Sequence, residues 1–251
     1  MLLPIGDDKT GRQTTPYVNY LIIAINIVVF LIELSQGDSF INGYAVIPRE
    51  ITHGVDLVGR FAVPGVPGGF IPEYPGPHPI YLTLLTSMFM HGGWLHIGGN
   101  MLFLWIFGDN VEDDFGHLKY LIFYLICGFA ASFAQIALDP ESVVPSLGAS
   151  GAIAGVLGSY LIMFPRNRVR AIVFLGFIFT IVSLPAFIVI GLWIITQLFS
   201  QFAAISSHSA QTAGGGVAYM AHIGGFFAGM VLTFLFRSRP QERHYDQYWP
   251  R

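Results

Sequence analysis

Apolar residues run in long blocks along this chain, and polar residues collect between them. A helix that crosses a bilayer needs about 20 predominantly apolar residues, with a range of about 17–25. Six blocks meet or approach that length: about Val18–Leu34, His91–Gly108, Leu118–Leu138, Ser150–Phe164, Ala186–Ala204 and Val217–Phe236. The fourth is short and starts abruptly at Ser150. A further apolar stretch, Ala171–Leu184, is too short to span at about 14 residues and reads as interfacial or re-entrant. Pro185 marks a break after it, because proline lacks the N–H that a helix needs. The pattern predicts an all-α polytopic membrane protein with a six-helix membrane domain at 17–236. An N-terminal segment at 1–16 and a tail at 237–251 flank it.

The connection Ser35–Tyr81 breaks the rhythm. It is punctuated by Pro64, Gly65, Pro67, Gly68, Gly69, Pro72, Pro75, Pro77 and Pro79, which favour turns. It also carries Ile41, Val46, Ile47, Leu57, Val58, Phe61 and Phe70, more apolar surface than a solvated linker holds. The expectation is a long, structured outer loop lying partly in the membrane interface.

Composition and charge sharpen this. The chain is 53% hydrophobic and 11% charged, where a soluble domain carries about 25% charged residues. A net charge of −3 gives no reason to expect a nucleic-acid partner. Six spans put both termini on one side, and of the 12 Lys and Arg only Arg49 and Arg60 fall on the other. Lys and Arg mark cytoplasmic loops, so both termini are expected in the cytoplasm. The first fifteen or so residues show no cleavable signal pattern, and the first apolar block is expected to act as an uncleaved anchor. Cys127 is the single cysteine, so no intrachain disulfide is possible.

The chemistry lies in a few polar residues inside apolar blocks. His96 and Asn100 stand i, i+4 apart and share a helix face in the first third of the second block. Ser150 opens the fourth block, within Gly148-Ala149-Ser150-Gly151. His222 lies five residues into the sixth, about 7–8 Å below its start. All three blocks run inward, so the three sites are expected at similar depth below the outer surface. Small residues give a packing argument. Gly151 and Gly155 form a small-xxx-small pair on the fourth block, and Ala221, Gly225 and Gly229 do the same on the sixth. Close approach of these two helices would bring the Ser150 hydroxyl to the His222 imidazole.

Serine is a weak nucleophile until a base takes its proton, and histidine is the usual base. Acyl transfer also needs donors for an oxyanion. The expected roles are Ser150 as nucleophile, His222 as general base then acid, and Asn100 with His96 as oxyanion donors. No Asp, Glu, Lys or Arg occurs between Ala171 and Phe236, so a dyad is the economical reading. Asn19, Asn26, Gln135 and Gln197 read as interhelical packing contacts. A His-Glu-x-x-His zinc motif is absent, and Asp109, Asp113 and Asp114 fall in or beside a cytoplasmic loop, which disfavours metallo- and aspartyl-protease chemistry. Neither a metal nor another cofactor is expected. Two other classes fit the same polar residues: a binding protein that captures membrane clients without cleaving them, and a small transporter lined by His96, Asn100 and His222.

The residues His96-x-x-x-Asn100, Gly148-x-Ser150-Gly151 and Ala221-His222-x-x-Gly225, in that order, resemble the rhomboid family of intramembrane serine proteases. The segment Leu85–His96 looks like its bacterial members. The resemblance covers about Tyr17–Phe236. It implies a six-helix rhomboid-like bundle with a water-filled cavity open to the outside, in a bacterial inner (plasma) membrane. It implies a Ser150–His222 dyad that cuts transmembrane segments of single-span or other membrane proteins near the outer face. It also implies substrate entry past the fifth helix and the Gln201–Gly216 loop. Some members carry a Trp-Arg pair in the first outer loop and an aromatic stacked on the histidine. Here no such pair precedes His91, and Ala154 stands at the aromatic's place.

Overall fold

The computed structural model describes residues 2–8, 12–63, 68–175, 178–206 and 217–238. A strand β1 (Leu2–Asp7) precedes the long helix α1 (Tyr17–Gln36). The outer connection folds into α2 (Asp38–Tyr44), α3 (Pro48–His53) and the antiparallel hairpin of β2 (Gly59–Ala62) and β3 (Phe70–Glu73). Short helical turns follow over Ile80–Phe89, with α4 at Thr83–Thr86. Then come α5 (Trp94–Phe115), α6 (His117–Leu138) and α7 (Ser150–Met163). The hairpin β4 (Arg168–Leu175) and β5 (Ile178–Pro185) leads into α8 (Ala186–Ser206), and α9 (Tyr219–Phe236) closes the described chain. The tail expected at 237–251 lies outside the described residues from 239 onward, as does most of the Gln201–Gly216 loop.

The protein is mostly helical, and α1, α6, α8 and α9 are long and apolar enough to cross a membrane. Their outward faces are apolar too: Val28, Phe133, Phe199 and Phe234 are exposed. Apolar surface of that extent in water would be strongly unfavourable, whereas lipid accepts it, so this is an integral membrane protein.

The expectation of an all-α chain is corrected at Ala171–Leu184. This stretch is not helical but forms most of the β4–β5 hairpin. Its β-branched residues Ile172, Val173, Thr180, Ile181 and Val182 favour a pleated chain. The N-terminal strand β1 pairs antiparallel with β4, giving the sheet order β1-β4-β5 and covering an edge that would otherwise be open.

Helix α5 also runs further than its apolar block, through Asp109, Glu112, Asp113 and Asp114 to Phe115, where a loop was expected. Those carboxylates have structural employment. Glu112 is fully buried and accepts the Val18 and Asn19 N–H groups at 2.9 and 2.7 Å. Asp113 accepts the Gln13 and Thr14 N–H groups. A helix start leaves N–H groups unpaired and favours negative charge, so the end of α5 caps the start of α1. Arg12 pairs with Asp109 at 2.8 Å. A single residue, Gly116, joins α5 to α6; its φ of 82° is one that residues with a Cβ rarely adopt.

Helix α7 is the centre of the bundle, buried continuously from Gly151 to Tyr160. Glycine lets α9 lie directly on it. A Cβ on Gly225 would strike the Gly151 carbonyl, and one on Gly229 the Gly155 carbonyl. On the third side, a Cβ on Gly151 would strike Ala131 of α6, and one on Gly155 would strike Cys127. The small-residue pairs expected to pack therefore do meet, backbone against backbone.

Candidate active site

That close approach sets the site. Ser150 is the first residue of α7 and His222 lies in the first turn of α9. Their side chains meet, with His222 Nε2 at 2.8 Å from Ser150 Oγ. His222 is 9% exposed, so the pair is largely shielded from bulk solvent.

His96 reaches the same place from the first turn of α5. Its position depends on Gly148, whose φ is 133° and whose missing side chain leaves room: a Cβ there would sit 2.9 Å from His96 Nε2 and 3.5 Å from Ser150 Oγ. Gly148 is in turn hung on Ser87 by a 2.8 Å backbone hydrogen bond from its N–H. The Gly92 N–H donates to His96 Nδ1 at 3.3 Å, so Nδ1 is the acceptor and Nε2 carries the proton. Asn100 is buried one turn along α5, and its Nδ2 has no hydrogen-bond partner among the described residues. It is a donor without an acceptor. A small cavity of about 30 Å³ opens beside Ser150, bordered by Ser87, Ser132, Ser146 and Gly148. That is room for a water molecule among polar groups.

Two residues of the site escaped the sequence reading, and both lie on α8. Gln197 Oε1 sits 2.8 Å from His222 Nδ1. It is more than a packing contact. An amide oxygen only accepts, so Nδ1 holds the proton and Nε2 offers its lone pair to the serine. Trp193, one turn before it, lies beside the imidazole with ring centroids 5.7 Å apart and planes at 35°. It supplies from α8 the aromatic neighbour that Ala154 does not supply from α7. The signal was present as Trp193-x-x-x-Gln197, a polar residue and a ring on one helix face. A third residue works at a distance: Glu33, buried near the end of α1, accepts the His91 N–H at 3.1 Å and fixes the segment that leads into His96.

A serine and a histidine in hydrogen-bond contact, with donor groups around them and lipid-facing helices outside, mark a membrane protein built like a hydrolase. Residues 79–239 match the Rhomboid domain, and the chain belongs to the rhomboid family. It is 31% identical over 242 residues to RHOMBOID-like protein 4 of Arabidopsis thaliana, covering 92% of this chain and 55% of that one. It is 41% identical over 85 residues to Rhomboid protease GluP of Bacillus subtilis, covering 34% of this chain and 16% of that one. It is 26% identical over 218 residues to the mitochondrial Rhomboid protein 1 of Saccharomyces cerevisiae, covering 84% and 51%. The chain spans about half the length of the curated relatives it matches.

Proposed function

We propose that this protein is an intramembrane serine endopeptidase that cuts transmembrane segments of other membrane proteins near the extracytoplasmic face. The observation that carries the reading is the 2.8 Å contact between Ser150 Oγ and His222 Nε2. His222 Nε2 takes the hydroxyl proton as Ser150 Oγ attacks the scissile carbonyl carbon. The carbonyl oxygen becomes an oxyanion that accepts hydrogen bonds from the Ser150 backbone N–H, Asn100 Nδ2 and His96 Nε2. As the intermediate collapses, the C–N bond breaks and His222 returns the proton to the leaving amine. Water, deprotonated by His222, then hydrolyses the acyl-enzyme. No metal or cofactor takes part in this scheme.

We take residues 17–236 as the membrane domain and count six spans, adding α5 and α7 to the four long apolar helices. Helix α7, with 14 residues, is about 21 Å long at 1.5 Å per residue, shorter than the roughly 30 Å hydrocarbon core. Its first residue therefore lies below the membrane surface, where water must reach a peptide bond. The basic face with both termini is the cytoplasmic one, in the bacterial inner membrane expected from the sequence.

The test is cleavage of a helix-destabilised single-span substrate by purified protein in liposomes. Wild type cuts it; Ser150→Ala and His222→Ala do not, while still folding. Cleavage by Ser150→Ala at the wild-type rate refutes the mechanism.

A further inference from the structure

We propose that Gln197 is the positioning residue of His222, and that through it α8 controls whether the base is assembled. The inference rests on the serine-protease reading above and adds a third member to its dyad.

The amide is held with its oxygen toward the imidazole. Its Nε2 donates back to its own helix, to the Trp193 carbonyl at 3.4 Å and to Thr196 Oγ1 at 3.2 Å. Its Oε1 is left for His222 Nδ1 at 2.8 Å. A neutral imidazole has one proton, and which nitrogen bears it is set by the partner of the other. With Oε1 on Nδ1, the lone pair of Nε2 points at Ser150. Without an acceptor on Nδ1, the other tautomer is equally open, and it cannot take the serine proton. The usual orienting group is a carboxylate. No acid occurs between Ala171 and Phe236, and a neutral amide does the same orienting without placing a charge in the membrane.

The two groups that hold the ring, Trp193 and Gln197, both come from α8 and from no other helix. Phe199 and Phe202 further along α8 are each 71% exposed, on the face turned away from the bundle. An outward swing of α8 removes the Nδ1 acceptor and the neighbouring ring together. The base is therefore complete only while α8 lies against α9.

The experiment uses the full chain in liposomes with Gln197→Met, Gln197→Asn and Gln197→Glu. Two rates are read: labelling of Ser150 by a small fluorophosphonate, and kcat and KM on the single-span substrate. Melting curves show that each variant is folded. Gln197→Met removes the acceptor at constant length and lowers both labelling and kcat about 10- to 100-fold with KM unchanged. Gln197→Asn, one methylene short, is slowed likewise should the methionine variant not fold. Gln197→Glu keeps an acceptor oxygen and recovers most of the rate. Wild-type rates in folded Gln197→Met, a loss confined to KM, or a glutamate variant as slow as the methionine one would each overturn the inference alone. A wild-type protein that neither labels nor cleaves would overturn the protease reading and this inference with it.

Discussion

In the proposed mechanism three donors serve the substrate carbonyl oxygen, and each is held differently. The Ser150 N–H is fixed by the start of α7, Asn100 Nδ2 by burial on α5, and His96 Nε2 by the Gly92 N–H on its other nitrogen. Removing one oxyanion donor costs about 10²–10³ in kcat. Asn100→Ala is expected to show a loss of that order with KM little changed, and His96→Ala a similar one. The double variant should fall short of the product of the two, because the donors share one oxygen. Single-turnover kinetics on the liposome substrate measure all three. Gly148→Ala is expected to abolish activity through His96: the new Cβ would sit at the 2.9 Å approach, on a backbone of φ 133°. The sequence carried Ser150, His222, His96 and Asn100 because a polar side chain in an apolar block is conspicuous. It did not carry Gln197, since several amides lie in such blocks and only the packing of α8 on α9 distinguishes this one.

At the scale of elements, the α7–α9 contact does the positioning. Because the Gly225 and Gly229 Cα atoms face opposing carbonyls, any side chain must push the helices apart. Gly225→Leu is therefore expected to destabilise by about 3 kcal/mol or more, beyond ordinary overpacking. Val231→Leu on the lipid face of α9, where Val231 is 66% exposed, should stay within about 0.5 kcal/mol. Unfolding followed by circular dichroism in detergent checks both, and equal losses would argue against the interlock. The small-residue spacing that places this contact could be read directly from the chain. The end of α5 could not, because hydropathy treats Asp109 and Glu112 as the close of a span. Only their partners, Arg12 and the N–H groups of α1, explain why they are helical. The β4–β5 hairpin was hidden for a similar reason. A 14-residue apolar run fits helix or strand, and the partner that favours strand, β1, lies at the other end of the chain.

Across the whole molecule, the Ser150–His222 pair sits at one end of the bundle and the Arg12–Asp109 ion pair at the other, while the outer connection carries buried acids of its own. Glu50 and Glu73 are 2% and 3% exposed. Burial pushes the Glu50 carboxyl up to about 7, against the hydrogen bond from the Leu57 N–H that opposes it. Burial, with the neighbouring Glu50, pushes Glu73 up to about 8. In the unfolded chain both would titrate near the ordinary 4.5. Between about 4.5 and 8, then, the folded loop binds more protons than the unfolded one, and linkage makes its stability fall as pH rises through that window. The contribution is fully present below the unfolded value and is lost by pH 8. Other carboxylates give the opposite slope, so the informative quantity is a difference. Glu73→Gln keeps a neutral side chain at every pH, and relative to wild type its melting temperature should rise progressively from pH 5 to pH 8. Each kcal/mol recovered is worth about 2–4 °C in a protein of this size. Thermal melts of both proteins in the same detergent at several pH values read it directly. A difference that is flat, or that shrinks toward pH 8, would mean that Glu73 is ionised in the folded loop.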